Sequence, residues 1–305
     1  MQSNRWAALG LLCLALGLVG CQSDPPTITP PVPTRDPYAR VTAAPEASSE
    51  YTIEPVGDDL ALGFERFAFQ LKDAGGQPLQ DGTVETVFYA TNSATGETIR
   101  KASGPAFYFG GDQPDGGAWV VYTEFDTSGT WSIDVTAFEN DGSQGLARRN
   151  FNVIGRTDTP FEGQAVPFGD TPTAADVDDL SEISSASSPD EELYRMSVAD
   201  AAASGMPTVV FFGSPEHCET QACRATYNEI RTLDSRYASR VNFIHVESRD
   251  LEDPSQLSEA AIAWGIEEDP WTFVLNSRGF VDSRVQGGVD DVELGLLIDR
   301  ALSSR

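Results

Sequence analysis

Residues 208–237, TVVFFGSPEHCETQACRATYNEIRTLDSRY, constrain the fold of this chain more than any other stretch. They open with Thr208-Val209-Val210-Phe211-Phe212, a short β-branched and aromatic run of the kind that forms a buried strand. Gly213-Ser214-Pro215-Glu216-His217 reads as a turn, and Cys218 and Cys223 follow with four residues between them. The apolar spacing then becomes helical through Ala222, Tyr227, Ile230 and Leu233. A cysteine pair at a strand-to-helix handover is a redox or metal geometry, because the positive end of the helix dipole stabilises a thiolate.

Helix geometry limits how the pair can bond. Residues five apart in a straight α-helix lie roughly 8.7 Å apart at Cα, and a disulfide tolerates at most about 7 Å. Cys218 and Cys223 therefore cannot both be helical and bonded. Thr220 as N-cap would start the helix at Gln221, place Cys223 in its first turn and leave Cys218 in the loop.

The remainder of the C-terminal part follows a recognisable order. Val241 to Val246 is a second apolar strand, Ser258 to Trp264 is helical, and Asp269-Pro270 precedes a strand, a polar turn at Ser277-Arg278-Gly279 and another strand. Gln286-Gly287-Gly288 and a helix from Asp291 to Leu302 close the series. From Ser197 onward the chain resembles the thioredoxin superfamily. The resemblance implies an α/β thioredoxin-like fold, a Cys218–Cys223 disulfide, and a cis-proline at Pro270 that shapes a substrate groove. It also implies an attacking Cys218 and a resolving Cys223. The chain departs from the family in spacing its cysteines by four residues rather than two. Phe212 stands where many members bury an acid, and Asp269, Glu216 and Glu219 lie where they disfavour a thiolate.

The N-terminus reads as a targeting segment. Met1 to Arg5 is a short positive region, and Trp6 to Val19 is apolar but too short to span a bilayer. Leu18-Val19-Gly20-Cys21 resembles the bacterial lipobox, which implies lipidation of Cys21, removal of residues 1–20 with Cys13, and a membrane anchor outside the cytoplasm. Cys218 and Cys223 would then be the one remaining pair, in a compartment where such a pair is oxidised or managed by exchange partners. Residues 22–50 are Pro, Ser and Thr-rich and read as a tether.

Residues 51–155 alternate apolar and polar between turn clusters such as Asp73-Ala74-Gly75-Gly76 and Asn140-Asp141-Gly142. That pattern predicts an all-β, antiparallel sandwich, which looks similar to the immunoglobulin-like modules of bacterial envelope proteins. It contains no Cys, His or Met, so a soft-ligand metal site is excluded there. Phe107-Tyr108-Phe109 reads as strand residues facing its core. Residues 156–192 form a second, acidic linker with a short helix expected over Ala174 to Ile183, and residues 193–305 complete the second domain, entered by a helix from Leu193 that ends at Gly205. With 47 acidic against 20 basic residues and a net charge of −27, the chain has no basic face for nucleic acid.

The expected function is thiol–disulfide exchange with extracytoplasmic thiol or disulfide proteins, a reaction that needs no cofactor. Three other readings stay open. The Cys218-to-Cys223 run resembles the Cys-x-x-Gln-Ala-Cys segment of one peroxiredoxin class, although Pro215 stands where that class needs Thr or Ser. Cys218 and Cys223 with His217 or His245 could deliver copper. The bond could also be purely structural in an interaction module.

Overall fold

The computed structural model describes residues 51–110, 117–167 and 171–304. The expected signal, Cys21 and the tether lie outside the described residues. The fold is mostly β, with a large antiparallel sheet and few helices.

Seven strands come first: β1 (Tyr51–Pro55), β2 (Gly63–Asp73), β3 (Thr83–Thr91), β4 (Thr98–Phe109), β5 (Ala118–Phe125), β6 (Gly129–Phe138) and β7 (Gln144–Val153). They pair antiparallel in the order β1-β2-β5-β4-β3-β6-β7. Strand β4 makes the fold-over. It pairs with β3 from Thr98 to Ala106, passes Gly104-Pro105, and pairs with β5 from Phe107 to Phe109. Inward positions enclose Phe67, Phe69, Phe88, Phe125 and Trp131, with ring centroids 5.4 Å apart for Phe67–Phe88 and 4.9 Å for Phe125–Trp131. At the seam the Tyr51 ring occupies the space where a side chain at position 145 would sit, which is why only glycine fits there. The same alternation corrects the reading of Phe107-Tyr108-Phe109. Tyr108 packs on Trp119 with centroids 5.4 Å apart, while Phe107 is 62% exposed.

The second sheet has four strands: β8 (Thr208–Phe212), β9 (Asn242–Val246), β10 (Trp271–Leu275) and β11 (Val281–Gln286), in the order β11-β10-β8-β9. β8 runs parallel to β9 and antiparallel to β10. β8 is buried along its whole length because both faces are covered. Val209 and Phe211 meet the helices α2 (Ala222–Tyr237) and α4 (Asp291–Ser303), and Val210 and Phe212 meet α1 (Val198–Ala203) and α3 (Glu259–Ala263). The period-two pattern of a strand thus supplies two cores at once.

Three helical expectations change in detail. The entering helix is split into a short 3-10 turn over Glu191–Tyr194 and α1, because Ser197 turns aside to cap α1 through Asp200 N–H. α1 ends at Ala203. Over 174–183 only Leu180–Glu182 is helical, as a 3-10 turn. Residues 156–192 lie against the rest of the protein: Val177, Leu180 and Ile183 join the α2 and α4 core, and Ala165 bridges to Phe280.

The two sheets are joined by buried ion pairs. Arg66 of β2 binds Glu293 of α4 bidentately at 2.6 and 2.8 Å, and Tyr122 donates to the same carboxylate at 2.9 Å. Arg284 of β11 donates to Glu65 at 2.6 Å and to Thr159 at 2.6 Å. The described residues group as one compact unit, without a division between the two sheets.

Candidate functional site

The site sits where β8 and β10 end beside the start of α2. Cys218 and Cys223 form a disulfide with Cα atoms 6.0 Å apart, inside the limit that a fully helical pair would exceed. The local solution is close to the expected one, with the helix starting one residue later than Gln221. Cys218 lies in the loop, the Thr220 hydroxyl accepts from Ala222 N–H at 3.2 Å, and α2 begins at Ala222. Cys223, in the first turn of α2, is fully buried, and Cys218 is half-buried. The loop is pinned by Ser214, whose carbonyl accepts from Cys218 N–H at 2.9 Å.

Across from the sulfurs stands Asp269, joined to Pro270 by a cis peptide bond. Cys223 Sγ lies 3.7 Å from Asp269 Oδ2, and Cys218 Sγ lies 3.9 Å from the Asp269 carbonyl oxygen. The Asp269 side chain is 2% exposed, yet it is fully partnered. Arg249 donates to Oδ1 through Nε at 3.1 Å and Nη2 at 2.6 Å, and Ser248 donates to Oδ2 at 2.7 Å. The sequence placed Asp269 as an uncompensated negative charge; the guanidinium supplies the compensation. Glu216 is likewise paired, with Arg224. Arg249 could not be tied to Asp269 from sequence, because twenty residues of loop and helix separate them.

Behind this pair runs a buried polar chain. Ser248 Oγ and Ser214 Oγ are 2.9 Å apart, and Ser214 also accepts from Arg249 N–H at 2.9 Å. Glu247 accepts from Ser185 N–H at 2.7 Å and Ser185 Oγ–H at 3.0 Å. Burial pushes its carboxyl up to about 7, against the pull of those hydrogen bonds. No sequence motif marks Ser214, Glu247 or Ser248; their meeting depends on the parallel register of β8 and β9.

The histidines stand apart from the sulfurs. His245 is a core residue: it donates from Nε2 to the Gly213 carbonyl at 2.8 Å, and Nδ1 meets Tyr194 Oη at 2.6 Å. Burial depresses it to about 4, so it stays neutral near pH 7. His217 has its Nδ1 buried without a partner. Among the described residues the third potential ligand atom brought to Cys218 and Cys223 is a carboxylate oxygen of Asp269, so the expected histidine is not part of that group.

A cleft of about 750 Å³ opens beside the disulfide. Glu219, Thr220 and Pro270 line it on one side, and Gln70, Phe109 and Gly117 of the antiparallel sheet line it on the other. Both sheets therefore border this cleft. No helix among the described residues is long and apolar enough to cross a membrane.

No protein-family model matches the chain, and no curated protein matches it. Among solved structures it is similar to a thioredoxin-family thiol:disulfide interchange protein from Chlorobium tepidum, at 16% identity over 47% of this chain and 99% of the other, with a TM-score of 0.31. A putative thiol:disulfide interchange protein DsbE from the same organism matches at 15% identity over the same shares, with a TM-score of 0.34. CopC from Methylosinus trichosporium matches at 14% identity over 34% of this chain and 96% of the other, with a TM-score of 0.22. Likenesses this distant decide nothing about activity.

Proposed function

We propose that this chain is a lipid-anchored, extracytoplasmic thiol–disulfide exchange protein, with an immunoglobulin-like sandwich joined to a thioredoxin-like layer. The reading rests on one observation above all: a disulfide at the mouth of α2, with Cys218 half-buried and Cys223 enclosed. That asymmetry assigns roles. The Cys218 thiolate, favoured by the helix terminus, attacks a substrate disulfide and expels one substrate thiolate. The Cys223 sulfur then attacks Cys218 Sγ, restoring the internal bond and releasing the second substrate thiolate. Pro270, beside the cleft, borders the substrate. Cys21 provides the anchor, and the substrates are proteins with exposed thiols or disulfides.

The test is native reduction followed by timed alkylation. Dithiothreitol should open the bond without unfolding the chain, and Cys218 should then alkylate faster than Cys223. A bond that opens only in denaturant would favour a structural disulfide in an interaction module, the reading supported by the full enclosure of Cys223. Anchoring is tested separately by Cys21→Ala, which should leave the chain unprocessed or release it from membranes.

A further inference from the structure

Once the internal disulfide is reduced, two thiols stand beside one carboxylate, a combination that exchange chemistry does not itself require. We infer that the reduced pair and Asp269 form a three-ligand site for Zn²⁺, with Cys218 Sγ, Cys223 Sγ and Asp269 Oδ2 as the donors. This rests on the reading above that the bond opens in the folded chain, and it adds an ion that the reduced form holds.

The donors already converge. One ligand atom from each of the three residues lies within 4.8 Å of the others, and Cys223 Sγ and Asp269 Oδ2 are 3.7 Å apart. A tetrahedral zinc ion with sulfur at about 2.3 Å and oxygen at about 2.1 Å spaces a sulfur and an oxygen about 3.6 Å apart, and two sulfurs about 3.8 Å apart. The main movement needed is the parting of the two sulfurs as the bond between them breaks. Asp269 is held as a ligating carboxylate is held. Arg249 takes Oδ1 through Nε and Nη2, and the Ser248 hydroxyl donates to Oδ2 at 2.7 Å. A carboxylate oxygen with one such donor keeps a lone pair for an ion.

The charges balance. Cys223 and the Asp269 side chain are nearly enclosed. Two thiolates and one carboxylate against a divalent ion and the Arg249 guanidinium leave no net charge, which is the condition for enclosing ions at small cost. The donor set also selects the metal. Cu(I) takes thiolate and thioether, and Mg²⁺ and Ca²⁺ take oxygen ligands, whereas thiolates with a carboxylate in a four-coordinate site suit Zn²⁺. Asp269 borders the cleft of about 750 Å³, and Glu219 and Glu268 are exposed along it. A cation therefore has an entrance and a negative potential that draws it in.

On binding, two S–H bonds break, each sulfur gives an electron pair to zinc, and two protons leave to water. No electron changes owner. With both sulfurs on the ion, the pair neither attacks a substrate disulfide nor re-forms its own bond until the ion is withdrawn. The ion thus keeps the site reduced and inactive.

The test uses the full chain carrying Cys13→Ser and Cys21→Ser, reduced with dithiothreitol, freed of it without air and titrated with Zn²⁺ against a coloured chelator. The folded reduced chain should take one ion and release protons as it does so, and the oxidised chain should take none. Co²⁺ in place of Zn²⁺ should give sulfur-to-metal charge transfer together with the visible bands of tetrahedral coordination. Asp269→Asn should weaken Zn²⁺ binding by about 100-fold and Ser248→Ala by about tenfold, while His217→Ala leaves it unchanged. If Asp269→Asn fails to fold, Ser248→Ala, which keeps Asp269 paired with Arg249, carries the test. Binding as tight in Asp269→Asn and Ser248→Ala as in the parent would mean a bare dithiol chelate and overturn the site, as would a loss on His217→Ala. A folded, reduced chain that takes no ion overturns the site and leaves exchange standing. A bond that opens only in denaturant overturns both.

Discussion

Two buried titrating residues, Glu247 and His245, follow each other along one strand end and pull stability in opposite directions. The folded Glu247 carboxyl is raised from 4.5 to about 7, so the folded state binds its proton more tightly than the unfolded chain does. Its contribution is full below about 4.5 and is lost as pH rises through about 7. His245 is lowered from 6.5 to about 4, so its contribution is present above about 6.5 and is lost as pH falls through about 4. Over the shared window the two slopes oppose each other. Replacing Glu247 with Gln isolates one of them. The stability advantage of the parent over Glu247→Gln should be largest near pH 4.5 and shrink by on the order of 3 kcal/mol on going to pH 7, at roughly 1.4 kcal/mol per unit. Urea denaturation of both proteins at several pH values measures this directly. A difference that stays constant with pH would mean that folding does not shift the Glu247 carboxyl.

At the scale of elements, the ends of helices and strands place the chemistry. Asp290 caps α4 by accepting Glu293 N–H at 2.8 Å, and its other oxygen accepts Gly110 N–H at 2.7 Å from the end of β4. One carboxylate thus fixes a helix terminus and ties it to the antiparallel sheet. Asp290→Ala should cost about 1–2 kcal/mol for the cap, and more for the buried Gly110 donor left unmet. Thermal denaturation checks the loss, and an unchanged melting temperature would show that the cap is dispensable. The elements also show what a sequence can and cannot reveal. β8, β9, β10, β11, α2 and α4 were legible because their apolar periods are clean and their turns carry Gly or Pro. The cysteine pair was legible for the same local reason, and the start of α2 to within one residue. β4 was not, since Gly104 and Pro105 interrupt its alternation at the place where it changes partners. Nor was the contact of Arg249 with Asp269, or that of Ser214 with Ser248. These join residues from separate strands and loops, and local periodicity carries no information about such meetings.

At the scale of the whole molecule, the seven-stranded sheet and the four-stranded sheet with its helices share charges as well as surface. The Arg66–Glu293 and Arg284–Glu65 pairs are nearly excluded from solvent on both sides. Breaking one such partner leaves a buried charge alone, which is far costlier than losing an exposed pair. The antiparallel sheet consequently forms a fixed wall of the cleft beside Cys218. The central claim is that this bond works by opening and closing. Equilibrating the folded chain in graded dithiol buffers, trapping free thiols by alkylation and weighing the products gives the reduction potential of the Cys218–Cys223 pair. A working exchange pair should be half reduced at a potential above about −270 mV with the chain still folded, whereas a value below about −300 mV would contradict exchange and leave the bond a structural brace.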